Sequence, residues 1–173
     1  MKVNLKRIIF AILTIVTFIT IFIFSEQNGE ISGKTSRGFT EKIINLLPVS
    51  KNWDEEKKQE IIENLQTVVR KLAHFTIYTI AGIWIMAFIN TYDNLTMKNK
   101  ILLSLIVGVS YAISDEFHQM FSGGRTPSVK DVGIDSLGVC FGISIDMLIF
   151  RIIKYKNINS RQNEIQIDCK NKY

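Results

Sequence analysis

The polar residues that could do chemistry fall in three short stretches of an otherwise apolar chain. The first holds Arg70, Lys71 and His74. The second reads Asp115-Glu116-Phe117-His118-Gln119, and the third holds Asp131 and Asp135, following Gly123-Gly124-Arg125. His118 could serve as a general base oriented by Asp115 or Glu116, since imidazole is the side chain best matched to proton transfer near neutral pH. Arg125, after two glycines, offers a bidentate fork for a phosphate or carboxylate, and Lys71 adds a second positive point. His74, Glu116, Gln119, Asp131 and Asp135 complete the candidate ligand-binding set. No metal or other cofactor is expected, because two histidines with carboxylates form a weak ligand signature without H-E-x-x-H or a cysteine pair. The same residues can equally form a structural charge network, the commoner outcome of such clusters. Ser114, Ser122 and Ser128 sit in no nucleophile motif and read as caps and turn residues.

The elements that must position these residues are membrane helices. The chain has 173 residues and 47% apolar content. No charge occurs in 8–24, 75–92 or 101–113, and 132–150 holds only Asp135 and Asp146. Soluble helices would show polar faces at helical spacing, and these runs lack them. A helix needs roughly 17 to 25 apolar residues to cross the hydrocarbon layer. The spans are therefore placed at about 8–24, 72–89, 98–119 and 131–150, the third reaching into the interface with its Asp-Glu-Phe-His-Gln end. The expected fold is all-α: a polytopic membrane protein with four transmembrane helices and an external helical loop. Residues 1–153 form the membrane domain. Residues 154–173, rich in lysine and asparagine, read as a loosely ordered cytoplasmic tail.

Basic residues set the orientation. With the N-terminus inside, the cytoplasmic pieces carry eleven lysines and arginines in 41 residues, against ten in 64 on the outside, where ten acids balance them. This bias puts both termini in the cytoplasm. No small-x-small site follows the first run, which is read as an uncleaved span. The same topology gathers all three polar stretches into one external layer. The net charge of +5 calls for no nucleic-acid partner, because the excess lies where anionic lipid attracts it.

In the first external loop, the residues from Ser25 to Gly33 read as turn chemistry. Phe39, Ile43, Leu46 and Leu47 then recur at helical spacing until Pro48, a short helix suited to the membrane surface. Asn52 and Glu55 resemble a capping box, after which the pattern can run unbroken into the second span. Asp146 could pair with Lys98 or Lys100. Gly138-x-x-x-Gly142 is a close-packing spacing, within the chain or between copies. Cys140 and Cys169 are read as reduced and incidental.

Three motifs, Arg70-Lys71-x-x-His74-Phe75-x-x-Tyr78, Asp115-Glu116-x-His118-Gln119-x-Phe121-x-x-Gly124-Arg125 and Asp131-x-x-x-Asp135-x-x-Gly138, with Ser25-x-Gln27 after the first span, resemble the VanZ-like family of bacterial membrane proteins. Many members carry Asn where this chain has Asp135. The resemblance implies several membrane helices, a place in the cell envelope and an association with resistance to teicoplanin-type glycopeptide antibiotics. It supplies no reaction. The leading expectation is recognition of an amphipathic or anionic ligand at the outer leaflet: a lipid-linked wall precursor, an anionic lipid or a lipoglycopeptide. One alternative is an enzyme that hydrolyses or transfers a lipid head group, with His118 and Glu116 or Asp115 as proton carriers. The other is a small transporter subunit, which four spans without an inverted repeat disfavour unless the protein forms a homo-oligomer.

Overall fold

The computed structural model describes residues 5–26, 29–121 and 128–170. Among these are five α-helices, α1 (Leu5–Glu26), α2 (Gly29–Leu46), α3 (Glu55–Asn90), α4 (Met97–Gln119) and α5 (Val129–Lys170), with a 3₁₀ turn at Pro48–Asn52 and no strand. Helices α1, α3, α4 and α5 contain the four expected spans, and each is long and apolar enough to cross a membrane. The 36 residues of α3 give a rod of about 54 Å, against roughly 30 Å of hydrocarbon, so its first four turns stand outside the membrane.

Local chemistry explains the helix boundaries. Pro48 stops α2, and Asp54 precedes α3, whose first turn carries Glu55 and Glu56, favoured by the helix dipole. The capping box expected at Asn52 is not used, because Asn52 closes the 3₁₀ turn and Asp54 takes the cap position without a side-chain bond. Thr96 caps α4 by accepting the Asn99 amide at 3.3 Å.

Helix α2 begins ten residues before the apolar spacing at Phe39, so of the stretch from Ser25 to Gly33 read as turn chemistry, 25–26 and 29–33 are helical, and Gln27 and Asn28 lie outside the described residues. Its hydroxyls are satisfied inside the helix: Ser36 Oγ donates to the Ser32 carbonyl at 2.9 Å, and Thr40 Oγ1 to the Ser36 carbonyl at 2.8 Å. Arg37 bonds Glu41 at 3.1 Å and also Gln59 on α3, which lays α2 along the outer part of α3. Thr40 and Ile44 are buried, while Phe39, Ile43 and Leu46 face outward. The residues from Lys154 onward, expected to be loosely ordered, continue α5 as a helix to Lys170. Residues 151–162 of that extension are exposed on all sides, so intrahelical hydrogen bonds carry it rather than packing.

Helix α3 is central and contacts the other four, α5 most of all. Glycine makes that approach possible. A Cβ at Gly138 would lie 2.6 Å from the Phe75 carbonyl oxygen; one at Gly142 would collide with the Thr79 carbonyl, and one at Gly82 with that of Val139. The Gly138-x-x-x-Gly142 spacing is thus spent within the chain. Tyr78, Ile85, Met86, Ala112, Val139 and Ile143 form the core, whereas Ile8, Ile12, Ile15 and Ile19 of α1 point outward as lipid contacts. At the end of the bundle away from the polar layer, Arg7 donates to Thr91 Oγ1 at 3.1 Å and to the Thr91 carbonyl at 3.0 Å, and lies 4.0 Å over the Tyr92 ring. Asp146 does not pair with a lysine. Asn90 Nδ2 donates to it at 2.7 Å, and Lys100 donates to the Asn90 carbonyl at 3.3 Å, because the α3–α5 contact puts Asn90 closer.

Candidate functional site

On α3 the polar positions Thr67, Lys71, His74 and Tyr78 follow i, i+3, i+4 spacing and share one face. The last turns of α4 bring Asp115, Glu116 and Gln119, and the first two turns of α5 bring Asp131 and Asp135. Because Gly138 seats α5 against Phe75, Asp135, one turn earlier, falls beside His74. The three helices enclose a cavity of about 370 Å³ lined by Thr67, Arg70, Lys71, His74, Glu116, Gln119, Ser128, Asp131, Ile134 and Asp135.

The cavity has a wet rim and a dry floor. At the rim Lys71 Nζ donates to Asp131 Oδ1 at 2.8 Å, with both side chains more than a third exposed. Glu116 is buried and its Oε1 accepts the Ser128 amide at 2.6 Å, tying α4 to the start of α5. Ser128 caps α5 as expected of it: its Oγ accepts the Lys130 amide at 3.2 Å and its carbonyl the Asp131 amide at 2.9 Å. Deeper in, Gln119 Nε2 donates to Asp115 Oδ2 at 3.1 Å. His74 Nδ1 stands 3.8 Å from Asp135 Oδ1, a distance for charge attraction rather than a hydrogen bond. His74, Asp115 and Asp135 each present one possible metal-ligand atom, all within 4.8 Å of one another.

Of the expected ligand-binding residues, Lys71, His74, Glu116, Gln119, Asp131 and Asp135 line this cavity. Gly123, Gly124, Arg125 and Ser122 lie outside the described residues. The α4 candidates for proton transfer, His118 with Asp115 or Glu116, face different neighbours. Asp115 and Glu116 turn toward α3 and α5, but the His118 ring stacks on Phe22 of α1 with centroids 4.6 Å apart, and neither carboxylate forms an ion pair with it among the described residues. Three residues along a helix is about 60° around its axis, enough to send His118 to a different neighbour. Sequence reasoning left Arg70 out of the binding set, although its position four residues before His74 on the same helix was the available signal.

A second cavity, about 380 Å³ and mostly apolar, lies between α1, α2 and α3, lined by Ile21, Phe24, Ser32, Thr35, Ser36, Phe39, Val69, Arg70, Ala73, His74 and Ile77. Arg70 and His74 belong to both walls. Its α2 wall could not be read from sequence, because the first half of α2 has no apolar period.

The family model described as VanZ/LLP1 matches residues 10–153, most of the chain, and the chain belongs to that family. No match was found among curated proteins or solved structures.

Proposed function

We propose that this VanZ/LLP1 member binds an anionic amphiphile at the outer face of the cell membrane, the head group in the polar cavity and the hydrocarbon chain in the apolar one. The observation that carries this reading is the shared wall: Arg70 and His74 border both cavities, so one molecule can occupy the two together. Each cavity lies within the roughly 300 to 1,000 Å³ typical of ligand sites. Arg70 and Lys71 supply charge for a phosphate or carboxylate, and a charge-assisted hydrogen bond contributes about 1.5 to 3 kcal/mol. The hydrocarbon chain gains little by leaving lipid for an apolar wall. The head group therefore sets affinity, and the apolar cavity sets which chain shapes fit. The bias of basic residues toward a cytoplasmic side that holds both termini supports a site on the outer face, where lipid-linked wall precursors and lipoglycopeptides meet the membrane. The family's link with teicoplanin-type glycopeptide resistance supports the same placement.

The test is a titration of the purified protein in lipid nanodiscs with a polyprenyl diphosphate, phosphatidylglycerol, a lipoglycopeptide and a neutral lipid. Saturable binding of at least one anionic amphiphile is expected, falling tenfold or more in Arg70→Ala. Ala73→Phe, which fills the apolar cavity, should weaken the long-chain ligand and spare a short-chain analogue. Equal, non-saturable partitioning of all four would overturn the reading.

A further inference from the structure

Three helices converge on one point at the floor of the polar cavity, where His74 and Asp135 belong to the lining and Asp115 lies behind it. His74 comes from α3, Asp115 from α4 and Asp135 from α5, and their ligand atoms lie within 4.8 Å of one another. Ligands about 2.1 Å from a tetrahedral zinc ion are about 3.4 Å apart. The His74 Nδ1 to Asp135 Oδ1 separation, 3.8 Å, is already close to that spacing.

Burial and charge point the same way. Asp115 is 5% exposed and Asp135 2%, and among the described residues no lysine or arginine forms an ion pair with either. Buried carboxylates must be neutralised, by a proton or by a cation. Gln119 holds Asp115 through Oδ2, which leaves Oδ1 available, the outer support that metal-ligating carboxylates commonly have. A separate observation concerns Tyr78, one turn beyond His74. It is fully buried, and its hydroxyl faces Asp115 and Asp135 closely enough for electrostatic contact, yet it makes no hydrogen bond of normal geometry among the described residues. Asp115 is the acceptor at hand for this buried phenol, and a metal-bound water between the two carboxylates would give it a second partner.

We propose that His74, Asp115 and Asp135 form a binding site for one divalent cation of the zinc class at the floor of the polar cavity. One imidazole with two carboxylates suits Zn²⁺ or Mn²⁺, whereas Ca²⁺ and Mg²⁺ favour all-oxygen sets. Three protein ligands would leave a fourth coordination position open, and the adjoining cavity is lined in part by Arg70 and Lys71. That open position would hold one oxygen of an anionic head group; this use of the metal rests on the proposed amphiphile binding, while the site itself does not.

The experiment takes tag-free, detergent-solubilised protein, stripped with chelator and dialysed against Zn²⁺, with bound metal counted by mass spectrometry. One equivalent per chain is expected. Asp115→Asn and Asp135→Asn should each weaken Zn²⁺ at least tenfold, and Asp146→Asn, a half-buried carboxylate elsewhere on α5, should not. Co²⁺ should give a visible spectrum with an imidazole ligand, lost in His74→Gln. Wild-type protein that retains no Zn²⁺ or Mn²⁺ overturns the site even if the variants fail to fold. Undiminished binding in folded Asp115→Asn and Asp135→Asn overturns it too. Metal binding without amphiphile binding refutes only the proposed function, and amphiphile binding without metal refutes only this site.

Discussion

Lys71 and Asp131 are 60 residues apart in the chain and 2.8 Å apart at the cavity rim, joining the middle of α3 to the first turn of α5. Because both side chains remain more than a third exposed, solvent screens the pair, and it contributes about 1 kcal/mol or less to stability. Lys71→Met should therefore leave the thermal unfolding midpoint in detergent nearly unchanged while lowering affinity for an anionic amphiphile about tenfold or more. A large fall in melting temperature with affinity intact would assign the pair to holding helices.

The α3–α5 contact has no room for side chains at its glycines, since a Cβ at Gly142 would overlap the Thr79 backbone. Gly142→Ala should destabilise by about 1 to 3 kcal/mol, the range for overpacking. Gly33→Ala, on α2 with nothing within 4 Å of the added methyl, is the control and should be neutral or slightly stabilising. Thermal unfolding that does not distinguish them would contradict the close approach of α3 and α5.

His118 packs on Phe22, away from both cavities, so its removal should act on stability alone. Stacked aromatic pairs contribute about 0.5 to 1.5 kcal/mol beyond burial. His118→Ala is expected to lose about that much stability and to keep ligand affinity and any drug tolerance. A folded, inserted His118→Ala protein without function would restore the proton-transfer role that the sequence invited.

Orientation is checked with single cysteines in a background where Cys140 and Cys169 are serine. A cysteine at Glu56, exposed in the first turn of α3, should react with an impermeant reagent added to intact cells, and one at Asn157 only after permeabilisation. The reverse pattern would turn both cavities toward the cytoplasm and remove the cell-wall reading.

What the sequence by itself determined is the set of elements. Runs of apolar residues report transfer into lipid, a one-dimensional property, so the four spans and the gathering of Lys71, His74, Glu116, Gln119, Asp131 and Asp135 at one end were legible without coordinates. Only the tertiary structure decided which face of each helix meets which neighbour. Each residue turns a helix by about 100°, so Asp115 and His118, three apart in the sequence, differ by about 60° around α4 and meet different partners, a distinction no hydropathy profile contains. The glycine contacts of α5 with Phe75 and Thr79 set that rotation and bring Asp135 to His74. The same limit hid the apolar cavity. Half of its lining comes from α1 and from polar residues of α2, whose helical state comes from packing on α3 rather than from their own pattern.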